Sequence, residues 1–214
     1  MKNSKVVIID YGIGNIESIT NAFSYCGAKE VLLTKEKSVI ETADRLILPG
    51  VGAFANGMNG LEQNNLIPII KSFVDSGKPL MGICLGMQML ATTSEEFGNY
   101  PGLNLIPGKV KLIPNARKAN QKVKLPFIGW ASLDKNISKK KNEPIIHIEA
   151  TDSFYFVHSY YFDTQHVSDL SYSYNYDGFD VTAIIQKDNI LGVQFHPEKS
   201  GDSGLNLIEN FIKS

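Results

Sequence analysis

"MGICLGMQML", residues 81–90, sets a cysteine between two glycines where an apolar run meets a helical pattern. Upstream, "KPLMGI" (78–83) reads as a short buried strand, and a helix leads out behind it. Gly82-Ile83-Cys84-Leu85-Gly86 is therefore the cysteine form of the G-x-S-x-G nucleophile elbow, which requires that strand–turn–helix context. A side chain at 82 or 86 would collide with so sharp a bend. Cys84 would then sit at a helix N-terminus, where the dipole and free N–H groups favour thiolate over thiol. The N–H of Leu85 would be free to hold a developing oxyanion. A buried thiol in a tight turn is the competing reading, and the motif alone does not choose between them.

Outward from the elbow, strand and helix alternate. "KVVIID" (5–10), "EVLLT" (30–34) and "RLILP" (45–49) read as short buried strands. Between the first two, Ile16, Ile19, Phe23 and Cys26 recur at helical spacing, and Gly27 offers a stop. Cys26 is thus expected on an apolar helix face, in the core. "LIPIIKSFVDSGK" (66–78) is a second helical stretch. Such alternation argues for a mostly parallel sheet covered on both faces. After about residue 100, "LNLIPGKVKLIP", "EPIIHIE", "FYFVHSYYF" and "VTAIIQ" are strand-like, with few helices between them. Leu205, Ile208 and Ile212 are spaced for a last helix, and Lys139 to Lys141 read as a solvated loop. With no repeat and no linker, residues 1–214 are expected to form one α/β domain.

Bulk properties narrow the function classes. Hydrophobic residues at 43% and charged residues at 20% are ordinary globular composition. A net charge of −1 gives no electrostatic reason to expect nucleic acid or an anionic membrane as partner. The opening "MKNSKVVIIDYG" is too short an apolar run for a signal peptide, and no stretch reaches the roughly 18 apolar residues of a membrane helix. Two cysteines suggest a reducing compartment without a disulfide framework, so a cytoplasmic protein is expected.

A thiolate nucleophile needs a base, and the histidines are His147, His158, His166 and His196. "ILGVQFHPE" (190–198) is an apolar strand stopping at Pro197, which places His196 at a strand end, where sites on open α/β sheets gather. Glu198 follows two positions later and could orient the imidazole as third member of a triad. His147 alternates with isoleucines in a strand, and His166 lies in polar "DTQHVSD". A metal site from Cys84, His196 and Glu198 finds no second histidine or cysteine nearby in sequence, so no metal and no cofactor are expected. "LPGVGAF" (48–54) follows the third strand, and Gly50, Val51 and Gly52 are candidates for a second oxyanion donor. No Gly-Lys-Ser/Thr follows to make it a phosphate loop, and in "DYGIGN" Glu17 stands where a dinucleotide fingerprint wants its third glycine.

"PGVGAF", "GICLGMQ", "YFVHSYY" and "GVQFHPEKS" in this order, with "DYGIGN" at the start, resemble the class I (triad) glutamine amidotransferases. Among them the likeness is to the glutaminase subunits of imidazole glycerol phosphate synthases, nearly end to end. The resemblance implies a three-layer α/β sandwich with a central mixed, mostly parallel sheet. It implies hydrolysis of glutamine, with Cys84 forming a γ-glutamyl thioester, His196 as general acid/base and Glu198 orienting it. Leu85 and Gly50 to Gly52 match the oxyanion positions, and Gln88, Glu96 and the backbone of Ser159 and Tyr160 match positions around bound glutamine. Asn15, Trp130, Tyr155 and Lys199 match the side facing a (β/α)8-barrel synthase subunit, which receives the ammonia and makes imidazole glycerol phosphate and AICAR in histidine biosynthesis.

"LPFIGWASL" (125–133) departs from the family, with Phe127 for a usual His and Ala131 for a usual Asn. Both are expected near the partner-facing side, which opens an alternative acceptor: paralogous pairs of this kind feed amidination of bacterial surface sugars. A non-catalytic glutamine-binding regulator would be expected to lose the thiol. A cysteine protease of similar fold is disfavoured by Gln88 and the "HPE" ending.

Overall fold

The computed structural model of this 214-residue chain describes all residues except 1–3, 13, 115–122 and 136–147. Its first half runs β1 (Lys5–Ile9), α1 (Ile16–Tyr25), β2 (Glu30–Thr34), α2 (Lys37–Glu41), β3 (Arg45–Leu48), α3 (Phe54–Gln63), α4 (Leu66–Asp75), β4 (Leu80–Ile83) and α5 (Leu85–Met89). Then follow β5 (Thr93–Ser94), β6 (Tyr100–Pro101), β7 (Gly108–Leu112), β8 (Phe127–Ser132), β9 (Asp134–Lys135), β10 (Ser153–His158), β11 (Tyr160–Thr164), β12 (Leu170–Tyr176), β13 (Phe179–Lys187), β14 (Ile190–Val193) and α6 (Gly201–Lys213).

The central sheet has eight strands in the order β2-β1-β3-β4-β14-β13-β12-β9. β2, β1, β3, β4 and β14 are parallel, and β13, β12 and β9 extend the sheet antiparallel. The sheet is mixed and mostly parallel, as expected. Side chains alternate across it. Val6 and Ile8 of β1 face one core with α1, α6 and β10, while Val7 and Ile9 face the other with α2 to α5. Both faces are covered over β1, β3, β4 and β14, which is why these strands read as continuous apolar runs, whereas β2, read as buried, lies at the sheet edge with Leu33 exposed. The two smaller sheets, β10-β8 and β11-β7-β5-β6, extend the two outer layers.

Three departures from the sequence reading have physical causes. Helix α3, "FANGMNGLEQ", carries two glycines and forms through packing rather than propensity: a Cβ at Gly57 would stand 2.7 Å from Met89 Sδ of α5, and one at Gly60 would stand 2.9 Å from the Tyr11 carbonyl oxygen. Strand β14 ends at Val193, not at Pro197, because the chain changes partner: the His196 N–H donates to the Tyr155 carbonyl of β10 at 2.9 Å. Cys26 lies just past α1 and is half-buried rather than in the core, its thiol 3.3 Å from the Leu205 carbonyl. Lys139 to Lys141 and His147 lie outside the described residues, as does most of "EPIIHIE".

Candidate active site

Order within the central sheet sets the place of the site. From β1 the chain steps to β2 on one side, then to β3 and β4 on the other, so the loops after β1 and β3 diverge at a topological switch point. The elbow follows β4, the adjacent strand. Cys84 adopts φ 53°, ψ −109°, a conformation that costs a non-glycine residue roughly 1–3 kcal/mol and that the surroundings must impose. They do so through the Cys84 N–H, which donates to the Val193 carbonyl at 2.8 Å, and through the glycines. A Cβ at Gly82 would meet the Gly86 backbone at 2.8 Å, and one at Gly86 would lie 1.8 Å from the Leu48 carbonyl. This is the collision inferred from the motif.

His196 and Glu198 come from the segment beyond β14, beside β4. His196 Nδ1 pairs with Glu198 Oε1 at 2.9 Å, and the imidazole also hydrogen-bonds the Cys84 side chain. All three side chains are nearly inaccessible. Burial alone would depress the His196 pKa, but the bonds to Cys84 and Glu198, with the charges behind them, outweigh it and raise the value to about 10. Cysteine, imidazole and carboxylate thus stand in line, an arrangement able to form a thiolate–imidazolium pair.

A pocket of about 270 Å³ opens onto the sulfur, lined among others by Val51, Gln88, Glu96, Ser159, Tyr160 and His196. Gly52 also lines it, at φ +91°. A larger groove of about 1030 Å³ runs between α1 and α6, but it holds Cys26 and no histidine, so the smaller pocket is the one with acid–base chemistry. Gln88 is buried, and its Nε2 donates to the Tyr160 carbonyl and to Gln194 Oε1, each at 3.0 Å. Glu96 Oε2 accepts the Phe54 N–H at 2.6 Å, which caps α3 and fixes the carboxylate at the rim.

One expectation fails. The Leu85 N–H is not free: it donates to the Gly50 carbonyl at 3.3 Å, because the Gly50–Val51 peptide turns its oxygen, not its hydrogen, toward the elbow. An oxyanion site is not assembled in this conformation.

Trp130 is 55% exposed and pairs across β8–β10 with Tyr155, ring centroids 5.9 Å apart. Lys199, exposed, follows in the 3-10 turn against which α1 packs. Asn15 stands at the N-cap of α1, where its side chain accepts from Ser18 Oγ instead of capping the backbone. In β8, Ile128 and Trp130 face outward, while Phe127 and Ala131 face inward against the core, in the same strand as Trp130. Phe127 stacks on Tyr174 at 5.1 Å and touches His158 edge-on.

Sequence reasoning gave His158 no role beyond being one of the histidines, and it missed Gln194, Tyr174 and Tyr11. His158 is buried and held neutral: burial lowers its pKa to about 4, against the opposing bond to the Tyr160 carbonyl. Gln194 is fully buried, and an amide in the otherwise apolar run "ILGVQF", two positions before His196, was the available signal. Tyr11 donates to the Pro49 carbonyl beneath the glycine loop. Among the described residues no group of three or more His, Cys, Asp or Glu is arranged to hold a metal, and no helix is long and apolar enough to cross a membrane.

Comparison with known proteins agrees with this architecture. The chain is 43% identical over 215 residues to the imidazole glycerol phosphate synthase subunit HisH 1 of Legionella pneumophila (strain Paris), spanning 98% of this chain and 99% of that one. It is 41% identical to the imidazole glycerol phosphate synthase subunit HisH of Geobacter sulfurreducens, over 97% and 98% of the two chains. Among solved structures it is similar to PurLQS from Thermotoga maritima, with a TM-score of 0.71 at 15% identity over 99% and 98% of the chains. A crystal structure of a glutamine amidotransferase superposes with a TM-score of 0.67 at 18% identity, over 97% and 99% of the chains. Both likenesses bear on the fold. The profile of the family Glutamine amidotransferase class-I matches residues 7–214, and this chain belongs to that family.

Proposed function

We propose that this chain is the glutaminase subunit of an imidazole glycerol phosphate synthase, acting in the cytoplasm and passing ammonia to a (β/α)8-barrel synthase subunit in histidine biosynthesis. The observation that carries the reading is the line of Cys84, His196 and Glu198, with the nucleophile strained at an elbow. Relatives with that printed name, matched over nearly their whole length, support the choice of acceptor.

In this reading the Cys84 thiolate attacks the side-chain amide carbon of glutamine, and the carbonyl π electrons move onto oxygen. Collapse of the tetrahedral adduct breaks the C–N bond while His196 protonates the departing nitrogen, which leaves as ammonia. Water, deprotonated by His196, then attacks the thioester; the C–S bond breaks, glutamate leaves and the thiolate returns. Glu198 keeps the imidazole aligned and stabilises its charged form. Gln88, Glu96 and the backbone of Ser159 and Tyr160, which line or border the pocket, hold the substrate.

The Gly50 carbonyl occupies the Leu85 N–H, so the adduct's oxyanion lacks both donors until the Gly50–Val51 peptide turns over. Docking of the barrel on the face carrying Asn15, Trp130, Tyr155 and Lys199 supplies that change, which would keep an idle subunit from wasting glutamine. The sugar-amidination alternative rests on Phe127 and Ala131, which pack inward; the printed names of the relatives favour the histidine branch. The test is ammonia release from glutamine by the purified chain, alone and with its barrel subunit. A low rate rising on complex formation, together with glutamine-dependent imidazole glycerol phosphate synthesis, is expected. A full rate alone, unchanged by the barrel, would refute the coupling.

A further inference from the structure

Behind Cys84 a chain of buried hydrogen bonds runs in one direction. Tyr174 Oη and His158 Nε2 are 2.8 Å apart, and His158 Nδ1 lies 2.8 Å from the Tyr160 carbonyl. The same carbonyl accepts from Gln88 Nε2, whose other hydrogen reaches Gln194 Oε1. Gln194 Nε2 in turn points at Cys84 Sγ, 3.8 Å away.

Donor and acceptor roles along this chain are forced. A carbonyl only accepts, so His158 Nδ1 carries the hydrogen; the ring is neutral, and Nε2 therefore accepts from the Tyr174 hydroxyl. The Tyr160 carbonyl likewise requires the Gln88 amide nitrogen. Gln88 then presents a hydrogen to Gln194, which must answer with its oxygen. Turning the Gln194 amide over would set two NH2 groups against each other. Its nitrogen is thus left to face the sulfur.

We propose that Gln194 is a further catalytic residue, whose side-chain amide donates to Cys84 Sγ and stabilises the thiolate, with Gln88, Tyr160, His158 and Tyr174 as positioning residues behind it. A hydrogen bond to a charged acceptor is about twice as strong as one to a neutral acceptor, so the contact favours the ionised sulfur. Gln194 is wholly buried in an apolar strand continuation, a costly place for an amide unless both its ends are paired. It does not line the pocket, so it acts on the nucleophile and not on the bound substrate.

The inference rests on Cys84 being the nucleophile, and its test separates the two claims. In a Cys26→Ser background, the rate of iodoacetamide alkylation of Cys84 is followed from pH 5 to pH 10 in the folded chain. The titratable groups around the sulfur are His196, His158, Glu96 and Tyr160 of the pocket, Glu198 behind His196, and Tyr11 beneath the glycine loop. Gln194→Met and the near-isosteric Gln194→Glu are each expected to raise the alkylation midpoint by about one unit, the effect of losing one bond to a charged group. Glutamine turnover measured with the barrel subunit should lose kcat with KM unchanged in the Gln194 variants, whereas Gln88→Met, which removes both a substrate contact and the donor that orients Gln194, should raise KM as well as lower kcat. Thermal melting reports whether each variant folds, and either folded variant suffices. An unchanged alkylation profile and kcat in a folded Gln194 variant would overturn the proposal and leave Gln194 a packing residue. Absence of glutamine hydrolysis by the wild-type complex would instead overturn the glutaminase reading, with the alkylation comparison still deciding the role of Gln194.

Discussion

The carbonyl oxygen of Gly50 accepts the amide hydrogen of Leu85 at 3.3 Å, which occupies the donor that an oxyanion at Cys84 would need. The adjacent Pro49 carbonyl is pinned from below by the buried Tyr11 hydroxyl. Two consecutive carbonyls are therefore held by fixed donors, and the loop rests in a conformation in which the proposed nucleophile is present but its proposed oxyanion donor is occupied.

Tyr11→Phe removes one of those two restraints and should loosen the loop. The isolated chain is expected to hydrolyse glutamine several-fold faster, at a stability cost of about 1 kcal/mol for a buried carbonyl left unpaired. For a chain of this size that lowers Tm by roughly 2–4 °C. Ammonia-release assays and thermal melts check both. A slower basal rate would show that Tyr11 supports the active loop instead.

His196 should make stability pH-dependent in a particular direction. Its pKa is raised to about 10 in the folded chain from the ordinary 6.5, so the native state holds the proton more tightly than the unfolded state. The stabilisation is fully present below about pH 6.5 and is lost as pH rises toward 10. Urea unfolding at pH 7, 8.5 and 10 is expected to show a declining free energy that flattens in His196→Asn. A slope unaffected by the substitution would contradict the coupled Cys84–His196–Glu198 arrangement.

Loss of the histidine should cost more than loss of the carboxylate. His196→Ala removes the proton carrier and is expected to slow thioester formation by about 10²–10⁴-fold. Glu198→Ala leaves the imidazole in place but less well held, so a smaller loss follows. Single-turnover measurements on the complex order the two, and the reverse order would reject the assigned roles.

Gly86→Ala should prevent the elbow from forming. The added carbon would meet the Leu48 carbonyl, backbone that has no route of escape, and the expected cost is about 3 kcal/mol or more. Gly178→Ala is the contrast: open space surrounds that position, and only the φ of +88° is unfavourable, at about 1–2 kcal/mol. Denaturant midpoints measure the difference.

Phe127→His restores the residue usual in the resembling family at a position packed among Phe156, His158, Tyr174 and Tyr176. Replacing that stacking should cost about 1–2 kcal/mol of stability and leave affinity for the barrel subunit unchanged. Titration of the complex gives the affinity, and a shift there would return Phe127 to the interface.

The elbow, its flanking strand and the "HPE" segment were legible in the sequence because each is local: glycine spacing, an apolar run and a proline stop are written within ten residues. Helix α3 was not, since its glycines argue against a helix until Met89 of α5 is seen beside Gly57 and the Tyr11 backbone beside Gly60. Nor was the end of β14, where a hydrogen bond from His196 to Tyr155 in a distant strand draws the chain away.

By itself the sequence determined that a strained cysteine would follow a buried parallel strand, that a histidine and a glutamate stand two positions apart, and that both sheet faces would be covered. Tertiary structure alone decided that β14 lies beside β4, which is what brings His196 to Cys84 across 112 positions of chain. It also decided that the Gly50 carbonyl blocks Leu85, that Phe127 turns inward, and that Gln194 faces the sulfur. Those outcomes depend on which way one peptide or one amide points, and that is settled by partners remote in sequence whose hydrogen bonds and volumes no local pattern encodes.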